Sequence, residues 1–71
     1  MKSTKELIQY SFEQCSEHPY RGFHHDNALL MAASGLHHYI KGDKVMAREM
    51  AYKSLAELCL DDYKAIQGAA S

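Results

Sequence analysis

Apolar residues recur along most of this chain at intervals of three and four positions, which is the period of an amphipathic helix. The pattern predicts an all-α domain of three helices. Helix 1 is expected over about 4–17, helix 2 over about 27–41 and helix 3 over about 44–67. Because only Gly42 and Asp43 separate the last two helices, these must form an antiparallel hairpin. A chain of 71 residues is expected to form a single domain over residues 1–71.

Capping residues mark the predicted ends of the helices. Ser3 and Glu6 have the spacing of a capping box, in which each side chain accepts a hydrogen bond from the other residue's backbone N–H. Pro19 ends helix 1, because the residue before a proline is pushed out of the helical region. Asp26 or Asn27 is expected to cap helix 2.

The apolar stripe of each helix is its predicted core-facing side. Between helices 1 and 2, a connector carries Tyr20 and Phe23, whose rings we expect to pack beneath the helices. The predicted core stripes are Leu7, Ile8, Phe12 and Cys15 on helix 1, and Leu29, Ala33, Leu36 and Ile40 on helix 2.

Helix 3 has two apolar stripes side by side, and therefore more apolar surface than two neighbouring helices would cover. We favour an unbroken helix, although Asp61 and Asp62 could cap a separate last helix instead. Its methionines and tyrosines are typical of adaptable interaction surfaces, while the alternative is that the methionines fill gaps against helix 1. The predicted interface consists of Met46, Met50, Tyr52, Leu60 and Tyr63.

This surplus of apolar surface predicts a small, non-enzymatic adaptor or regulatory protein. It would act through helix contacts with a protein partner, and we expect a homodimer, because so small a domain is only marginally stable alone. Cys15 with His18 comes nearest to a nucleophile beside a base, but core packing explains Cys15 better, and no Gly-rich phosphate loop is present. We therefore predict no catalytic residues and no cofactor.

Five histidines leave a second hypothesis open, a metal- or pH-responsive module that also uses Cys15. A zinc site needs four converging ligands, and the spacing of Cys and His in the chain matches no zinc motif. We therefore predict no metal site. The histidines are His18, His24, His25, His37 and His38.

The distribution of charge narrows the class of partner. Eight basic and nine acidic residues are scattered along the chain, and the net charge is −1. A DNA-binding regulator is a further alternative, with Lys44 and Arg48 at the start of a recognition helix. Glu49 and Glu57 lie on the same helix and would weaken phosphate contacts, so nucleic-acid binding is not expected.

The predicted location is the cytoplasm. The N-terminus lacks the apolar run of a secretory signal, and no window is long and apolar enough for a membrane span. In that setting Cys15 and Cys59 are expected to be reduced thiols.

The hairpin of helices 2 and 3 resembles a single tetratricopeptide repeat over about residues 28–61. The small residues at 35 and 47 would let the two helices approach closely, and the glycine at 42 would form the turn. The chain departs from the repeat at Ser34, Ser54 and Cys59, and small residues at a tight hairpin also arise from packing alone. The resemblance implies peptide or protein binding and no catalysis. The matching positions are Gly35, Tyr39, Gly42 with Asp43, and Ala47.

Overall fold

The computed structural model describes the backbone of residues 2–70 and the side chains of residues 2–60. Its elements are α1 (Thr4–Glu17), α2 (Phe23–Ile40) and α3 (Lys44–Ala70), and no strand occurs in the described backbone. α2 and α3 form an antiparallel hairpin and make the most extensive contact between helices, while α1 packs against both. The predicted all-α architecture of three helices is confirmed.

The two ends of α1 follow the predicted signals. Ser3 Oγ accepts a hydrogen bond from the Glu6 N–H at 3.2 Å, and Glu6 Oε1 accepts one from the Ser3 N–H at 3.3 Å. Together these two bonds form the capping box. At the other end His18 has an extended conformation, as expected of a residue that precedes a proline.

The start of α2 differs from the prediction. The helix begins at Phe23 instead of near residue 27, and its N-cap is Gly22, which makes no side-chain capping bond. Asp26 therefore lies inside the first turn, where its charge is favourable to the helix dipole. The physical reason is tertiary, because Arg21 and His25 both bind the Cys15 carbonyl at the end of α1 and hold the connector short.

The expected packing of the connector aromatics is also wrong. Tyr20 is exposed, and Phe23 is 71% exposed, with its ring edge-on to that of His24. His25, and neither of these rings, occupies the buried position at this end of α2.

The turn between α2 and α3 is formed by Gly42 and Asp43, as predicted. Gly42 has a φ of 91°, a left-handed conformation that glycine adopts without steric cost, and its N–H donates to the Tyr39 carbonyl. Asp43 Oδ1 then accepts a hydrogen bond from the Met46 N–H at 3.1 Å, which caps the start of α3.

α3 is unbroken through residues 61 and 62, in agreement with the prediction, but it ends at Ala70 and not near residue 67. Gly68 lies inside α3. A glycine lowers the stability of a helix by about 1 kcal/mol without having to terminate it.

The core of the molecule lies where α3 meets the other two helices. The predicted stripe of α1 is confirmed for Leu7, Ile8 and Cys15, which are buried, and Phe12 packs against them partly buried. α1 also buries Ser11, whose hydroxyl donates to the Ile8 carbonyl at 2.7 Å. The buried clusters are Leu7 and Ile8 with Ala47 and Ala51, and Cys15 with Ala28 and Leu58.

The side of α2 that faces the core is not the predicted one. The stripe Leu29, Ala33, Leu36 and Ile40 is exposed, and the buried residues lie mainly one position earlier. We call these buried residues the inner face of α2. A Cβ added at Gly35 would lie 3.2 Å from the Ala47 carbonyl oxygen, so the two backbones are nearly in contact. Only small side chains fit between them. The inner face consists of His25, Ala28, Ala32 and Gly35.

Candidate protein-binding face

The three leucines of α2 and its isoleucine are exposed. Ile40 is 75% exposed and Leu30 is 69% exposed, while Leu29 and Leu36 are 43% and 41% exposed. Isolated exposed leucines are ordinary in proteins, but several on one helix form a contiguous apolar surface that needs an explanation. We call this surface the outer face of α2. It consists of Leu29, Leu30, Ala33, Leu36 and Ile40.

The outer face has no charged residue among its apolar side chains. From Asn27 to Ile40 the chain contains no Asp, Glu, Lys or Arg, so neither side of this segment has the charges that normally cover a solvated helix. Its titratable neighbours on the helix are His37, which is exposed, and His38 and Tyr39, which are partly buried. A helical segment without charges on any side is usually covered by other parts of the protein or by a partner.

A groove between α1 and α2 runs alongside the outer face. One cavity of about 390 Å³ in this groove is lined by Phe12, Leu29 and the residues near the end of α1. A second, of about 190 Å³, is lined by Ile8, Leu36 and Ile40 together with Lys5 and Gln9. The two cavities follow the same pair of helices, so the groove extends over most of the length of α1.

A polar cluster closes one end of the groove. Arg21 donates to the carbonyls of Cys15 and Ser16 at 3.3 and 2.8 Å and so binds the carbonyl end of α1. The Nε2 atom of His25 lies 2.7 Å from the Cys15 carbonyl oxygen, which can only accept. Arg21 Nη1, which can only donate, lies 2.9 Å from the same Nε2, so the two contacts require opposite roles of this atom. Nδ1 of His25 is a buried atom without a hydrogen-bond partner. This cluster orders the connector and adds a cation to this end of the groove.

The structure describes the side chains of four of the five predicted interface residues, and these four have different surroundings. Met50 packs against Gly35 of α2, and Tyr52 is half exposed and accepts a hydrogen bond from Arg48. Leu60, also half exposed, lines a cavity of about 350 Å³ with Met31. Met46 is partly buried, and the side chain of Tyr63 lies outside the described residues.

The histidines that motivated a metal hypothesis are dispersed. His24 binds Glu57 across α2 and α3 at 2.6 Å, His25 binds the Cys15 carbonyl, and His18 Nδ1 lies 2.9 Å from the Tyr20 carbonyl. Cys15 is buried, with its Sγ 3.9 Å from Ser54 Oγ. Where side chains are described, no three residues of the types His, Cys, Asp and Glu converge as a metal site would require.

One of the two basic residues considered for DNA binding is engaged within the chain. Arg48 donates hydrogen bonds to the Lys2 carbonyl and to Thr4 Oγ1 on the α1 side, and to the Tyr52 hydroxyl. The guanidinium of Arg48 therefore joins the N-terminal segment to α3.

No protein-family model matches the chain, and no curated protein or solved structure matches it either. None of the helices over the described residues is long and apolar enough to cross a membrane.

The outer face is not predicted from the sequence, because its regular apolar stripe is expected to face the core. The signal that identifies the inner face is the run of small residues Ala28, Ala32 and Gly35, which pairs with a similar run in α3. The partners in α3 are Ala47, Ala51 and Ser54, all fully buried.

Proposed function

We propose that this chain is a non-enzymatic adaptor or regulatory protein that binds another protein chain through the outer face of α2 and the adjoining groove. The observation that supports the proposal is the exposure of four large aliphatic side chains on a segment without charged residues. The proposal assigns no catalytic residue, metal or cofactor. It places the protein in the cytoplasm, where thiols stay reduced, because Cys15 and Cys59 are free.

The size of the apolar surface supports useful affinity. Full burial of one Leu or Ile side chain contributes about 1.5–3 kcal/mol, and the four large residues of the outer face are between two fifths and three quarters exposed. Burying what remains exposed would therefore contribute several kcal/mol, from which the entropic cost of association must be subtracted. Phe12, which is partly buried in the groove, would add to the contact.

The shape of the surface favours a helix as the bound element. Two neighbouring helices leave an elongated groove between them, and an amphipathic helix lays its apolar side into such a groove with contacts every three or four residues. The outer face presents apolar side chains with that same spacing.

The experiment compares the same substitution at two leucines of similar exposure. Leu29→Glu changes the outer face, and Leu60→Glu changes the α3 surface where the sequence-based interface was predicted. We expect the labelled wild-type chain to sediment in extract of its own cells faster than a monomer does. Leu29→Glu should return it to the monomer rate, and Leu60→Glu should leave the complex intact. The opposite pattern would contradict the proposal and place the interface on α3.

A further inference from the structure

We propose that the molecule bound in the groove is a second copy of this chain, with the two α2 helices lying antiparallel across a twofold axis. This inference rests on the proposed function, since it uses the same outer face. It specifies the partner, the orientation and the pairs of residues in contact.

The spacing of the outer face is self-complementary. Its central stripe, Leu29, Ala33, Leu36 and Ile40, has intervals of four, three and four residues, which read the same in both directions. An antiparallel copy therefore places Leu29 against Ile40 of the second copy and Ala33 against its Leu36. The small side chain of Ala33 meets a large one at the centre, which is the interdigitation that closely packed helices need. A twofold axis requires each contact to occur twice, and this stripe satisfies that requirement.

The charges at the ends of α2 favour the same orientation. Asp26, whose side chain is 79% exposed, lies in the first turn, and Lys41 and Asp43 follow the last turn. In the antiparallel register Asp26 lies opposite position 43 and two residues from Lys41 of the second copy, so attraction to Lys41 offsets repulsion from Asp43. A parallel register would instead place Asp26 beside Asp26. The antiparallel helix dipoles are also favourable.

The groove gives the pair a closed core. When two outer faces meet, α1 and α2 of each copy form four helices around the apolar contact, with Phe12 at its side. The segment without charged residues is then covered on both sides, which explains its composition. A chain of 71 residues buries a limited core by itself, so the second copy supplies apolar contact that the single chain lacks.

The first test is the oligomeric state, measured by sedimentation equilibrium from low to high micromolar concentration. We expect a reversible dimer for the wild type, and at least a tenfold higher dissociation constant for Ala33→Glu and for Leu36→Glu. The control Leu60→Glu should dimerise like the wild type, and circular dichroism should show all variants equally helical. A wild-type chain that stays monomeric throughout would overturn the inference.

The same measurements separate failure of the inference from failure of the proposed function. If the wild type is monomeric when pure, yet its complex in cell extract is lost in Leu29→Glu and kept in Leu60→Glu, the proposed binding face stands and the second copy is excluded. If association survives Leu36→Glu and is lost in Leu60→Glu, both are overturned.

The second test is the orientation, measured by disulfide cross-linking in a Cys59→Ser background. We expect a mixture of Leu29→Cys and Ile40→Cys chains to form a cross-linked heterodimer. Leu29→Cys alone should not cross-link, because in the antiparallel register the two positions 29 are about 16 Å apart along the axis, from eleven residues at the helical rise. Efficient cross-linking of Leu29→Cys with itself, and none in the mixture, would overturn the antiparallel arrangement.

Discussion

The inner and outer faces of α2 have similar length and the same helical spacing, but their side chains differ in size. In most helices the large apolar side chains are the buried ones, and in α2 they are the exposed ones. The inner face consists largely of Ala and Gly and is buried, while the outer face has three leucines and an isoleucine and is exposed. The inner face is buried because its small residues allow α3 to approach closely. The outer face is left for another molecule.

The difference shows that burial in this protein follows fit and not the hydrophobicity of single residues. The Ser54 hydroxyl donates to the Ala28 carbonyl at 2.6 Å across the interface, a contact that requires the two helices to be close together. Larger side chains on the inner face would separate the backbones and remove that contact. Matched substitutions on the two faces should therefore differ in their effect on the free energy of unfolding.

The largest effect is expected from Ala32→Leu on the inner face. Ala32 is fully buried, so the added atoms must push α2 away from α3, and overpacking of this kind costs about 3 kcal/mol. Urea denaturation measures the loss. Ala33→Leu, the same change at the adjacent exposed position, should leave the free energy of unfolding of the monomer within about 0.5 kcal/mol of the wild type. Equal losses in the two variants would show that the assignment of faces is wrong.

A smaller loss is expected from Ser54→Ala. The variant removes the buried hydrogen bond to the Ala28 carbonyl, and its free energy of unfolding should fall by about 1 kcal/mol. Ser16→Ala, at an exposed position of α1, serves as the control and should be unchanged within about 0.5 kcal/mol. A neutral Ser54→Ala would mean that packing alone holds the two helices together.

On the outer face, Leu30→Gln should have almost no effect on the isolated monomer. At protein concentrations where the chain is monomeric, its free energy of unfolding should change by less than about 0.5 kcal/mol, because the side chain has few intramolecular contacts to lose. At high concentration the wild type should become more stable by association, and Leu36→Gln should not. A large loss for Leu30→Gln at the lowest concentration would indicate that the outer face packs within the monomer.

The smallest effect on stability is expected at the N-terminus of α1, where the capping interaction is exposed to solvent. Hydrogen bonds from the side chain and the backbone of Ser3 hold the pKa of Glu6 below its ordinary value of 4.5. The ionised carboxylate therefore stabilises the folded state above that value, and the stabilisation is lost as the pH falls through the lowered pKa. Glu6→Gln should lower the melting temperature slightly at pH 7, and the difference should disappear near pH 2. A difference that persists in acid would contradict the charge-based explanation.

Local signals in the sequence were sufficient to predict the features that depend on neighbouring residues. The capping box at Ser3 and Glu6, the stop before Pro19 and the turn at Gly42 all involve groups within a few residues of one another. For that reason they could be predicted without knowledge of the fold. The start of α2 could not, because it depends on contacts between Arg21, His25 and the distant end of α1.

By itself the sequence determined that there are three helices, where the chain turns between α2 and α3, and which side of α1 is buried. It also determined that α2 lacks charge from residue 27 to residue 40. The helical period did not decide which side of α2 faces inward, because the stripe beginning at Ala28 and the stripe beginning at Leu29 have equally good periods. The small residues at 35 and 47 predicted a close approach of the two helices, and only the tertiary structure decided that this approach leaves the leucines of α2 on the outside. The inward side of α2 is the one on which Gly35 closely approaches Ala47 and Ala51 of α3. The helical period depends only on neighbouring residues, so it does not report a contact between residues this far apart in the chain.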